Sequence, residues 1–173
     1  AAFREAHPYA DLRLLTNNNK ADLAAEGLDA AILFGEGRWP GVEAARLLDA
    51  PQAPLCAPGL GAQLRHPGDL AGQVLLRSYR VQDWPAWFAA ARLSEEIEAR
   101  GPVFDASLTM IQAAIQGEGV ALAPPLMFAR DIADGRLVQP FAATVCTGAY
   151  WFVTPRGRPP SPAAVAFRDW LFG

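Results

Sequence analysis

Three small polar side chains stand within five positions of one another in "FDASLTM", residues 104–110: Asp105, Ser107 and Thr109. Types and spacing like these admit three chemistries. The first is nucleophilic, a serine helped by a neighbouring carboxylate, but a nucleophile also needs a base within hydrogen-bond reach. The chain has two histidines, His7 and His66, each followed by proline and 59 residues apart, and no Gly-x-Ser-x-Gly. With no base in prospect, the expectation is a protein that is not an enzyme. The second chemistry is anion binding. The apolar run Met110–Ile115 follows at once, so a helix begins near Ser107, and its first N–H groups have no intrahelical partner. Those groups and the positive dipole end hold a carboxylate without a Lys or Arg. The third is capping, with Ser107 as the N-cap of the same helix. The two roles can alternate: Ser107 caps the helix when the site is empty and offers its hydroxyl, beside Thr109, when a carboxylate arrives.

Other residues join these as candidates. Asn17 and Asn18 sit in the polar stretch Thr16–Asn19, after an apolar segment that reads as a strand, and ligands of open α/β sheets bind beyond strand carboxyl ends. Asp22 falls in the first turn of the next expected helix, where a negative charge suits the dipole. Tyr150 and Trp151 open the strongly apolar "AYWFVTP". In a strand one of the two faces the core and the other can present a phenol or an indole to a ligand. Neither histidine has Cys or carboxylate neighbours at ligand spacing, so no metal is expected. The glycine-rich "GEGRWPG" (35–41) and "GEGVALAPP" (117–125) lack the Lys-Ser/Thr of a phosphate loop. Gly117 reads as a helix C-cap and Gly119 as a tight entry into a strand. No cofactor is implied.

The elements that must position these residues follow from patterning. The chain has 173 residues and a formal net charge of -3, which argues against nucleic-acid binding by this chain itself. No apolar run is long enough to span a membrane. Cys56 and Cys146 lie in apolar or small-residue surroundings and read as free, buried thiols, which suits a reducing, cytoplasmic setting. The segment 11–16 alternates as a strand, 22–26 is a short helix and 30–34 a buried strand; this order predicts a parallel pair with a right-handed crossover. Residues 41–55 read as an extended segment leaving one lobe for another. Beyond it, helices are predicted over 59–64, 82–92, 108–116 and 126–133, with strands over 73–77, 103–104, 120–123 and 137–141. A strand over 149–155 and a helix over 163–172, capped by Ser161-Pro162, complete the pattern. This is an α/β chain of two Rossmann-like lobes joined by crossing strands, as in periplasmic binding proteins. Lobe I comprises 1–48 and 152–173 and lobe II 49–151. Lobe I reads as N-terminally truncated, since "AAFREAHPYADL" resembles the end of a longer helix.

The motifs carry a resemblance as well. "DLRLLTNNNKADLAAEGLDAAILFGEGRWPGVEA", "APLCAP", "LLRSYRVQDWPAWFAAA", "VFDASLTMIQAAIQGEGVALAP" and "RLVQPFAATVCTGAYWF" resemble the effector-binding domain of LysR-type transcriptional regulators over essentially the whole chain. NNxxxD, LLRSYR, DWxAW and GxYW are similar, more narrowly, to the AmpR-like branch that controls β-lactamase expression. The resemblance implies a type 2 periplasmic-binding-protein fold and a small-molecule effector held between two lobes. It also implies a homodimer, tetrameric in the full-length protein, with DNA bound only through an N-terminal winged helix-turn-helix. In that branch UDP-MurNAc-pentapeptide represses and anhydro-muramyl peptides activate. Peptide contacts carry over to Ser107 and Tyr150, and a switch position to Asp22. Leu23 stands where close relatives have proline, and Arg92–Pro102 departs freely from them. The remaining alternatives are a LysR-type sensor for an amino acid or small organic acid, and an extracytoplasmic solute-binding protein.

Overall fold

The computed structural model describes residues 2–10, 23, 26–93 and 97–173. In chain order these form α1 (Ala2–Ala6), β1 (Ala31–Gly35), β2 (Val42–Asp49), β3 (Ala53–Leu55), α2 (Pro58–Gly61), β4 (Leu75–Ser78), α3 (Asp83–Ala90), β5 (Val103–Phe104), α4 (Ser107–Ile115), β6 (Val120–Ala123), α5 (Ala129–Ala133), β7 (Ala149–Pro155) and α6 (Pro162–Phe172). They fall into two compact units, Ala1–Asp49 with Gly148–Gly173, and Ala50–Thr147.

In the first unit β7 is the middle strand of an antiparallel sheet ordered β1-β7-β2. Strand alternation sends Leu33, Trp151 and Val153 to one face, where they pack with Leu23, Leu28 and Trp39. On the other face Phe152 meets Phe167 of α6 at 6.4 Å, and Phe167 meets Phe3 of α1 edge-on at 5.0 Å. Helix α6 starts as its sequence predicts: the Ser161 hydroxyl accepts the Ala164 N–H at 3.2 Å and Pro162 takes the first turn. The strand expected over 11–16 and its parallel pairing with β1 lie outside the described residues, as does most of the helix expected over 22–26, of which Leu23 and Glu26 are described, both in turns. Both boundaries move. Residues 148–151 and Asp49, expected in lobe II, fall in the first unit, where β7 pairs β1 and β2 from Ala149 onward and Asp49 pairs Ala149.

The second unit is built on a sheet ordered β3-β6-β4-β5, parallel across β6-β4-β5 and antiparallel at β3. Helix α4 lays Met110, Ile111 and Ala114 against Leu76 and Ala121. The other face holds Leu75, Val120 and Leu122 against Trp84, Trp87 and Phe88 of α3. Trp87 is fully buried, and its indole N–H donates to the Ala143 carbonyl at 2.9 Å. Gly117 ends α4 with a left-handed turn (φ 84°); its N–H bonds to the Ala114 carbonyl and that of Glu118 to Ala113.

Three expectations change here. No strand forms over 137–141. Pro140 has no N–H to give, the Gln139 side chain takes the Phe141 carbonyl at 2.8 Å, and Val138 makes a single bridge to Cys56. The helix over 126–133 splits into a 3₁₀ turn, Pro125–Phe128, and α5, with Phe128 off helical geometry (φ -117°, ψ 22°) after the Pro124-Pro125 pair. Cys56 is buried but Cys146 is exposed. Val145 exchanges both backbone hydrogen bonds with Gln52, and strand alternation turns the next side chain outward.

Candidate functional site

Strand β5 runs parallel to β4 with Ser78 opposite Phe104, and β6 runs parallel on β4's other side. All three carboxyl ends therefore lie together. Ala53 pairs with Ala123 and Gln52 with Val145, so both passages of the chain between the units leave from this same end. Gln52, buried, ties them by donating from Nε2 to the Thr147 hydroxyl at 2.8 Å. The chain then turns from Phe104 through Asp105 and Ala106 into α4. Its first turn thus opens where ligands of α/β sheets bind.

At this turn the capping expectation is corrected. The N-cap is Ala106, extended at φ -128° and ψ 130°, and no side chain caps the helix. The Ala106 carbonyl already accepts the Met110 N–H at 3.1 Å, which leaves Ser107 as the first helical residue. Ser107 therefore does not cap its helix when the site is empty. Ser107, Leu108 and Thr109 are exposed, and neither hydroxyl bonds to any described residue. No described residue accepts from the first-turn amides, and a carboxylate placed there would meet N–H groups and the positive dipole end beside the Ser107 hydroxyl. Asp105 is exposed and likewise bonds to no described residue.

Tyr150 lies in the first unit, two residues after the second passage, with Phe34 and Leu48 as its partners across β1 and β2. It is half-buried, with its ring edge-on to Phe34 at 5.1 Å. Trp151 takes the opposite face. Its indole donates to the Gly35 carbonyl at 3.0 Å, and the Arg46 guanidinium lies 5.9 Å above the ring. Of the pair, Trp151 is the one in the core cluster, and Tyr150 lies on the other face of the strand. Asn17, Asn18 and Asp22 lie outside the described residues.

A polar cluster that patterning did not single out stands at the carboxyl end of β4. Asp83, only 6% exposed, accepts from Nε and Nη2 of Arg80 at 3.0 and 2.8 Å and from the Ser78 hydroxyl at 3.3 Å. The available signal was an Arg three residues before an Asp, just after a strand, in "SYRVQD". Nearby runs a groove of about 720 Å³. Its charged groups have partners within the unit: Arg77 gives two hydrogen bonds to the Gly101 carbonyl, Arg80 pairs with Asp83, and Glu98 with Arg100. Glu98 is held below, and Arg100 above, its ordinary range by this mutual bond.

Burial pushes the Cys56 thiol up to about 11, which keeps it protonated and unreactive. His66 accepts the Gly68 N–H at 3.1 Å as the cap of a 3₁₀ turn, and Asp69 returns the contact by accepting from the Arg65 and His66 amides. Those amides hold the Asp69 carboxyl below its usual range. Among the described residues no three His, Cys, Asp or Glu side chains gather for a metal, and no helix is long and apolar enough to cross a membrane.

Two α/β units, two chain passages side by side and an open helix terminus at the parallel strand ends define a ligand-binding domain of the periplasmic-binding-protein type 2 class. The model of the LysR substrate binding domain matches residues 1–172, and the chain belongs to that family. It is 51% identical over 172 residues to the HTH-type transcriptional activator AmpR of Rhodobacter capsulatus, covering 99% of this chain and 59% of that protein. The chain thus spans about three-fifths of the length of that relative. The effector domain of AmpR from Pseudomonas aeruginosa superposes with a TM-score of 0.92 at 51% identity, covering 99% of this chain and 83% of that one. A Citrobacter freundii effector binding domain carrying three substitutions (threonine to valine, serine to alanine and tyrosine to phenylalanine) superposes at 0.91 with 39% identity, covering 99% and 87%.

Proposed function

We propose that this domain is the effector sensor of an AmpR-like regulator of β-lactamase expression, and that its effector is a cell-wall muropeptide, UDP-MurNAc-pentapeptide or an anhydro-muramyl peptide. The observation that carries this is the exposed first turn of α4, uncapped by any side chain, with the Ser107 and Thr109 hydroxyls on it. A peptide ending in D-Ala-D-Ala presents a carboxylate, the group such a terminus receives. The serine and tyrosine replaced in the substituted Citrobacter freundii domain lie 43 positions apart, the separation of Ser107 and Tyr150 here. This spacing supports the choice of those two as contacts. Asn17 and Asn18 as further contacts and Asp22 as a switch rest on the resemblance of the motifs. The domain pairs as a homodimer, the full-length protein assembles as a tetramer, and DNA is reached through a winged helix-turn-helix at the N-terminal side.

Calorimetry with UDP-MurNAc-pentapeptide tests this. Ser107→Ala removes one hydrogen bond to a charged group, for an expected loss of about tenfold to a hundredfold in affinity. Tyr150→Phe is expected to cost roughly tenfold, with circular dichroism unchanged in both. Wild-type affinity in both variants would remove these residues from the site. An amino acid or small organic acid would need only the α4 terminus, so a ligand whose binding falls with Ser107→Ala but not with Tyr150→Phe favours that reading.

A further inference from the structure

We infer that Phe34, seated against the backbone of Gly148, is the positioning residue for the Tyr150 phenol and sets effector affinity without touching the effector. The inference rests on the proposed role of Tyr150 and goes beyond it by assigning what holds that side chain. Phe34 and Tyr150 are directly opposite in the antiparallel β1–β7 pair, and their rings meet edge-on at 5.1 Å and 74°. An aromatic cross-strand pair restricts both rings. The Phe34 ring is confined in turn. A Cβ at Gly148 would come within 2.7 and 3.0 Å of its Cε1 and Cζ, and within 3.1 Å of the Gly35 carbonyl oxygen. Gly148 does not have a positive φ. Space for the Phe34 ring, not backbone conformation, is what a side chain here would violate.

The opposite face of the same strand pair is pinned as well. The Trp151 indole bonds to the Gly35 carbonyl, and Gly37 lies against the indole so closely that a Cβ there would be 2.5 Å from it. With the backbone of Gly35 and Tyr150 held from that side, the Phe34 ring, edge-on to Tyr150, stands in the way of one rotation of that side chain. A hydrogen bond weakens steeply with angle, so a phenol released from its seat loses affinity although no contact to the effector is deleted.

A double-mutant cycle distinguishes positioning from mere packing. With UDP-MurNAc-pentapeptide as probe, Phe34→Leu is expected to weaken binding about threefold to tenfold in the otherwise unchanged protein. In the Tyr150→Phe background it is expected to cost nothing further, because the hydroxyl it positions is gone. Gly148→Ala, which must displace the Phe34 ring, is expected to show the same dependence and serves if Phe34→Leu fails to fold. Equal losses in the two backgrounds, or no loss from either substitution, would overturn the inference. In ligand-free protein, Phe34→Leu should also move the Tyr150 ring proton resonances, identified by their absence in Tyr150→Phe. If those resonances stay put, the seat is wrong even where Tyr150 matters. If they move but Tyr150→Phe binds normally, the functional reading of Tyr150 fails and takes the affinity claim with it.

Discussion

Gly37→Ala tests the packing that fixes the strand bearing Tyr150, and Gly41→Ala in the same loop is its internal control. Both glycines are left-handed, with φ of 83° and 74°. Alanine in that region costs about 1–2 kcal/mol, and both substitutions lower unfolded-chain entropy alike. They differ in surroundings. A Cβ at Gly41 meets nothing within 4 Å, whereas one at Gly37 would lie 2.5, 2.6 and 2.7 Å from three atoms of the Trp151 ring. That ring must move, which endangers its hydrogen bond to Gly35 and its stacking under Arg46. The first is worth about 0.5–1.5 kcal/mol and the second about 0.5–1 kcal/mol. Gly37→Ala should therefore destabilise by roughly 1–2.5 kcal/mol more than Gly41→Ala, the backbone contribution cancelling between them. Urea denaturation followed by tryptophan fluorescence reads this as a lower midpoint at unchanged slope. Equal losses in the two variants would refute the claim that the Trp151 ring is held against Gly37.

Two further outcomes follow from charge and burial. Alkylation of native protein at about pH 8, near the ordinary thiol range, should label exposed Cys146 and spare Cys56, whose buried thiol is raised to about 11; a Cys56-containing peptide labelled without denaturant would contradict this. Asp69 is held below its ordinary range by the His66 and Arg65 amides, so its contribution is present above the unfolded aspartate pKa and lost as pH falls through the folded one. Asp69→Asn should accordingly lose less stability than the parent between pH 4 and more acidic values, about the range where aspartate titrates, read from thermal midpoints across that range.

Patterning over short windows made much of this molecule legible. The apolar runs at 120–123 and 149–155 become β6 and β7, and Ser161-Pro162 caps α6, because hydrophobic alternation and capping are local properties. That a helix starts near Ser107 was legible for the same reason, but not the place of Ser107 in the turn. Whether Ala106 or Ser107 is extended is a single backbone choice that side-chain type does not dictate. Val138 and Phe141 look like alternate residues of a strand, yet Pro140 and the Gln139 side chain use up the groups a ladder would need. The glycines of "GEGRWPG" were legible only as not being a phosphate loop. What Gly37 does is make room for Trp151, 114 positions away, and no window over the sequence contains both.

The same distinction bears on effector choice. Under the proposed reading the α4 terminus supplies amides and hydroxyls that any carboxylate can satisfy, so it supplies affinity with little discrimination. Discrimination must come from groups whose placement depends on the rest of the fold. On the inference drawn above Tyr150 is such a group: its ring meets Phe34 edge-on, Phe34 lies against Gly148, and Trp151 on Gly37 packs the strand's other face. A change at Phe34 or Gly148 would alter how a muropeptide is held relative to a smaller acid while leaving "SLTMIQAAIQGEGVALAP" and the α4 terminus intact. Relatives sharing that motif can thus diverge in effector through residues that never contact it.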